Sequence, residues 1–136
     1  MDKKTTRFNV MEINQLKNFL NEFGDNVSFE HDLKKQNWFN IGGKSKVFYK
    51  AFNLKELINF LKKIENKEKI FILGAGSNTL ITDNLYDGIV IKLSKDFNNI
   101  SLLKDDIIIA GSGVLDKSLS DFAMKNNLSG FEFLSC

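Results

Sequence analysis

Ile13, Leu16, Phe19, Leu20 and Phe23 recur three and four positions apart, and Gly24 stands where a helix of that spacing would end. The pattern predicts a packing helix from about Val10 to Phe23. Residues Asp25 to Gln36 mix polar side chains with scattered apolar ones and are expected to form a linker. From Lys46 to Phe52 the period changes to two, with Val47, Tyr49 and Ala51 set against Phe48, Lys50 and Phe52, which predicts a strand. Asn53 is placed to cap the next helix, with Glu56 three residues on, and Leu54, Leu57, Ile58, Leu61 and Ile64 form its expected buried stripe. Ile70-Phe71-Ile72-Leu73 reads as a buried strand, and Gly88 to Leu93 as another, separated by a short apolar run at Thr79 to Thr82 that Asp83-Asn84 breaks. Asn99 to Leu103 and Ile107 to Ala110 flank Lys104-Asp105-Asp106 as a hairpin. Leu115, Leu119, Phe122 and Ala123 predict a last helix that fades at Asn126-Asn127. A helix, a β-α-β unit, several short strands and a helix make an α+β order rather than a series of βαβ repeats.

Composition narrows the class. Apolar residues make up 43% of the 136 positions and thirteen are Phe, enough for a real core. A net charge of +2, with Lys spread among Asp and Glu, gives no basis for binding nucleic acid or a membrane surface. No run approaches the roughly 20 apolar residues of a membrane span, and the start lacks the apolar stretch of a secretory signal, so a cytoplasmic location is expected. The one cysteine, Cys136, cannot form an internal disulfide, and with the one histidine it gives no zinc cluster. His31 is expected to be a surface residue; no metal site is expected. Proline is absent, and the chain stops in an apolar segment, Gly130 to Cys136, as if a longer sequence were cut.

The candidate chemistry lies where the Ile70–Leu73 run meets Gly74-Ala75-Gly76-Ser77-Asn78. Glycines there let the chain turn sharply, and exposed backbone N–H groups in such a turn form a concavity for phosphate. The same residues equally suit a plain tight turn between core elements. The loop lacks the third glycine and following helix of a dinucleotide fingerprint, and no Gly-Lys-Ser/Thr of a Walker loop is present. Gly111-Ser112-Gly113 forms a second glycine turn at a strand exit, so two turns could face one elongated ligand.

Five elements then occur in a familiar order: Phe39-Asn40-Ile41-Gly42-Gly43; Leu73 to Asn78, with Asp83; Gly88-Ile89-Val90-Ile91; Ala110-Gly111-Ser112-Gly113; and Leu128 to Leu134. In this the chain, from Phe39 to Ser135, resembles the UDP-N-acetylenolpyruvoylglucosamine reductase (UDP-N-acetylmuramate dehydrogenase) family. The resemblance implies an α+β FAD-binding domain of the vanillyl-alcohol-oxidase (PCMH) type, incomplete at its C-terminus. It implies residues 1–36 as an N-terminal helix and linker, 37–93 as a first FAD-binding subdomain, and 94–136 as the start of a second. In that family NADPH reduces non-covalently bound FAD, and hydride passes to the enolpyruvyl ether of a UDP-sugar in peptidoglycan synthesis. Gly74, Ala75, Gly76, Ser77 and Asn78 match the family's pyrophosphate loop, and Gly111 and Ser112 match a second cofactor-facing segment. The family's proton donor and substrate domain lie beyond Cys136, so no catalytic residue is assigned, and the fragment is expected to be inactive alone and to expose Phe131, Phe133 and Leu134 for self-association. The alternatives are a non-catalytic flavin or nucleotide module, and an FAD oxidase of the same fold. No His or Cys stands near the glycine loop to tether the flavin covalently.

Overall fold

A computed structural model describes residues 13–64 and 69–135. Its centre is the period-two stretch and its partner: β2 (Lys44–Ala51) pairs in parallel with β4 (Tyr86–Leu93), placing Val47 beside Ile89 and Tyr49 beside Ile91. β3 (Ile70–Leu73) adds to the other side of β4 in parallel, and β1 (Val27–Asp32) runs antiparallel to β2, giving the order β1-β2-β4-β3.

Alternation sends successive residues of each strand to opposite faces, and the two faces are filled differently. Val47, Tyr49, Ala51, Ile89 and Ile91 face α1 (Ile13–Leu20) and α2 (Leu54–Ile64), whose Leu16, Leu20, Phe60 and Ile64 complete the main core. Burying side chains of this size contributes about 1.5–3 kcal/mol each. Tyr49 stacks on Phe60 with ring centres 3.8 Å apart, and burial, reinforced by Glu56, pushes its phenol up to about 12. The opposite face carries a smaller cluster of Leu33, Phe48, Leu73 and Val90, with Ile81 and Tyr86 packed against it.

Three expectations need correction. Asp25 to Gln36 is not a linker: Val27, Phe29 and His31 alternate with polar residues, and their strand is hydrogen-bonded into the sheet edge. The buried face of α2 is Leu57, Phe60 and Ile64, while Leu54 (61% exposed), Ile58 and Leu61 point outward. Two apolar stripes overlap on this helix, and the β2–β4 surface takes the one bearing the larger Phe. β3 is not a buried strand, because it lies at the sheet's edge and only Leu73 is covered; Ile72 is 54% exposed. The N-terminal helix begins, within the described residues, at Ile13, so its expected start at Val10 lies outside them.

The other elements follow their patterns. Asn53 accepts a hydrogen bond from the Glu56 amide at 2.9 Å, the capping contact that starts α2. β5 (Ile100–Lys104) and β6 (Ile107–Ala110) form the hairpin as a separate two-stranded sheet. α3 (Asp116–Lys125) ends at Asn126-Asn127, with Asn127 at φ +57°. The run Thr79 to Thr82 forms no strand: residues 74–85 return irregularly from the carboxyl end of β3 to the start of β4, a parallel crossover without a helix. Gly43 donates to the Thr82 carbonyl at 2.8 Å and so pins this return.

Candidate functional site

The parallel strands place the first glycine loop. In open sheets of this kind ligands bind beyond the carboxyl ends of the strands, where Gly74 to Asn78 leaves β3. Gly76 has φ +76°, a left-handed conformation that lets neighbouring amides converge. None of the backbone N–H groups from Gly74 to Asn78 donates to another described residue; the loop instead accepts, at the Gly76 carbonyl, a hydrogen bond from the Trp38 amide at 3.1 Å. A Cβ on Gly74 would meet nothing within 4 Å, so the loop's outer side is open. Ala75 and Asn78 are exposed and Ser77 half-buried. Open space, unengaged amides and one left-handed residue together suit the phosphates of a dinucleotide.

Gly76 itself points inward. A Cβ there would strike the Gln36 carbonyl oxygen and lie 2.7 Å from Asn37 Cα. The segment it presses on is held by buried Asn37, whose side-chain amide donates to the carbonyls of Leu33 (3.0 Å) and Ile41 (2.8 Å). The absence of a side chain at Gly76 is therefore required by packing, and the open side of the loop is formed by Gly74, Ala75, Ser77 and Asn78.

The second turn differs. Gly111 donates to Asn99 O and Gly113 to Phe97 O, both at 2.8 Å, and a Cβ on Gly111 would strike the Phe97 carbonyl. These glycines exist so that two backbones can touch. The 94–99 segment they rest on is in turn bonded to the carboxyl end of β2 and the residue after it, through the N–H groups of Ser94 to Ala51 O (2.9 Å) and Asp96 to Phe52 O (3.1 Å). The second turn thus lies by the carboxyl end of β2, the end of the sheet at which the first loop leaves β3, and among the described residues no hydrogen bond joins the two turns. Ser112 is exposed, and its N–H has no partner among the described residues.

Sequence reading passed over a polar chain beside the first loop. Lys92 sits in register with Leu73, the residue before Gly74. Its ammonium can only donate, at 3.2 Å to Gln36 Oε1, so the Gln36 amide nitrogen faces His31 Nε2 at 3.2 Å. That nitrogen must accept, leaving the imidazole proton on Nδ1 and directed to Ser28 Oγ at 2.9 Å. His31 is therefore neutral and half-buried, stacked on Phe48 with centres 4.1 Å apart, rather than the surface residue expected. Burial lowers its pKa against the opposing pull of Asp32, and burial with Lys50 nearby lowers that of Lys92. These groups surround a cavity of about 310 Å³. A second, mostly apolar groove of about 430 Å³, lined by Leu33, Phe71, Leu73, Leu80, Tyr86 and Val90, opens under the 79–85 segment. The only signal for the polar chain in the sequence was the alternation of residues 27–32.

Known proteins give these features a setting. The FAD binding domain family matches residues 46–136, from β2 through both glycine turns. The chain belongs to that family. It is 60% identical over 126 residues, 93% of its length, to the UDP-N-acetylenolpyruvoylglucosamine reductase of Pelagibacter ubique (strain HTCC1062), and 39% identical over 105 residues to that of Rickettsia canadensis (strain McKiel). It spans 42% and 35% of the length of these two relatives. The crystal structure of UDP-N-acetylenolpyruvylglucosamine reductase from Thermus caldophilus superposes with a TM-score of 0.61 at 25% identity, over 78% of this chain and 35% of that one. The resemblance read from the five motifs, and the α+β FAD-binding fold it implied, are borne out.

Proposed function

We propose that this chain is the FAD-binding portion of a UDP-N-acetylenolpyruvoylglucosamine reductase, with NADPH as reductant and a UDP-sugar as substrate, acting in the cytoplasm in peptidoglycan synthesis and hence in cell-wall biogenesis, cell shape and division. The observation that carries the cofactor assignment is the loop after β3, whose amides from Gly74 to Asn78 have no partner among the described residues and whose outer side is open. The 60% identity to a relative of that name supports the reaction class. Bound FAD would supply the hydride chemistry, and the chain's own residues would supply position and charge. Gly74, Ala75, Gly76, Ser77 and Asn78 would hold the pyrophosphate through backbone N–H groups, with the Ser77 and Asn78 side chains adding donors. Lys92, on β4 in register with Leu73 just before the loop, would lend positive charge. Gly111 and Ser112 would stand further along the cofactor, with the Ser112 amide as the available donor. The division into a first subdomain ending at residue 93 and a second from 94 accords with the change from the four-stranded sheet to the β5–β6 hairpin. Self-association, if it uses the end of the chain, would use Phe133, which is 74% exposed, since Phe131 and Leu134 are half-buried.

Titrating the chain with FAD and following flavin fluorescence tests the assignment. Saturable, non-covalent binding at one site per chain is expected. Flavin emission that never departs from that of free FAD would overturn it.

A further inference from the structure

Trp38 is 72% exposed and belongs to neither core cluster, yet its backbone is tied at both its N–H and its carbonyl. Its N–H donates to Gly76 O, its carbonyl accepts from Asn40 Nδ2 at 3.4 Å, and the preceding Asn37 is buried and twice bonded. Asn40 takes φ +53°, closing a turn in which its own amide reaches Asn37 O. A large flat ring is thereby left in solvent on a strap fastened to the first glycine loop, whose amides from Gly74 to Asn78 have no partner among the described residues. An indole face is a surface on which a base or flavin ring stacks, and the Trp38 N–H bond to Gly76 O ties this one to the loop whose amides suit phosphates.

We propose that Trp38 is the stacking platform for an aromatic ring of the bound dinucleotide, positioning it relative to the phosphates held by residues 74–78. The inference rests on the FAD reading above but concerns a residue which that reading does not use. Two rings qualify, adenine and the flavin, and each has a smaller probe that keeps a phosphate: ADP for the first, FMN for the second. Trp38 is the chain's one tryptophan, so indole emission reports on this position alone.

The experiment measures ADP, FMN and FAD binding calorimetrically to the wild-type chain, Trp38→Ala and Trp38→Phe, and follows shielding of the wild-type indole from acrylamide by ADP. Replacing a stacked aromatic typically weakens binding about tenfold or more. The proposal expects that loss in Trp38→Ala for ADP or for FMN, whichever ring stacks, and its recovery to within a few-fold in Trp38→Phe. If ADP is the affected probe, it also shields the indole. Equal affinities of wild type and Trp38→Ala for all three ligands would overturn the proposal while leaving the FAD reading intact. A wild-type chain that binds none of them would overturn both.

Discussion

The loop after β3 and the turn after β6 carry the same sequence signal, two glycines around one residue at a strand exit, yet their backbones are used differently. In the second turn Gly111 and Gly113 donate to Asn99 and Phe97, and the missing side chain of Gly111 makes room for the Phe97 carbonyl. In the first, five consecutive amides have no partner among the described residues, and only Gly76 is glycine for a packing reason. A pair of glycines therefore reports a close backbone approach in both places. What separates the two turns is where the glycine amides go, which no residue type discloses.

The sharpest way to break this comparison is to fill the positions one at a time. Gly76→Val adds a β-branched side chain at φ +76° and drives it into the Gln36–Asn37 backbone, which cannot yield cheaply. A loss of about 2–5 kcal/mol is expected, a large part of a small domain's stability, together with loss of FAD binding. A thermal midpoint near that of wild type would show that the strap moves freely and that the packing account of Gly76 is wrong. Gly111→Ala meets the Phe97 carbonyl and should cost about 1–3 kcal/mol, while FAD affinity in the still-folded fraction stays within a few-fold. Gly74→Ala should do the reverse, leaving the midpoint unchanged within about 0.5 kcal/mol and weakening FAD several-fold, because its Cβ enters open space on the ligand side. If chemical denaturation and flavin titration reverse these two variants, the roles assigned to the two turns are reversed as well.

A smaller effect belongs to the polar chain that braces the first loop. His31 is held neutral by the donor from Gln36, and burial sets its pKa below the ordinary 6.5. Below that value the unfolded chain takes up a proton before the folded one does, so stability falls as pH drops through this range and levels off below the folded-state pKa. Above it the contribution is fully present. Thermal midpoints at about pH 7.5 and about pH 5.5 should therefore diverge more in wild type than in His31→Gln, by a few degrees at most. An equal acid shift in both proteins would remove His31 from the account.

Much of the fold could be read from the chain itself, because β2 and α3 each show one clear period, and β4 and the hairpin strands are apolar runs bounded by turn residues. Residues 27–32 were legible too, as Val27-Ser28-Phe29-Glu30-His31-Asp32, but a strand half covered at an edge mixes charge with apolar positions and imitates a linker. On α2 the stripe was ambiguous, since Leu54, Ile58 and Leu61 compete with Leu57, Phe60 and Ile64, and only the sheet chooses between them. The first glycine loop was found from sequence. Its neighbours Gln36, Trp38 and Lys92 were not given roles, because they meet it through register and a strap distant in the chain.

Hydrogen exchange measured residue by residue, with and without FAD, tests the central contrast most directly. In the free chain the amides of Gly74, Ala75, Ser77 and Asn78 should exchange rapidly, and those of Gly111 and Gly113, already bonded, should be slower. Saturating FAD should slow the first group strongly and leave Gly111 and Gly113 nearly unchanged. Protection that appears at Gly111 and Gly113 while residues 74–78 continue to exchange freely would contradict the account.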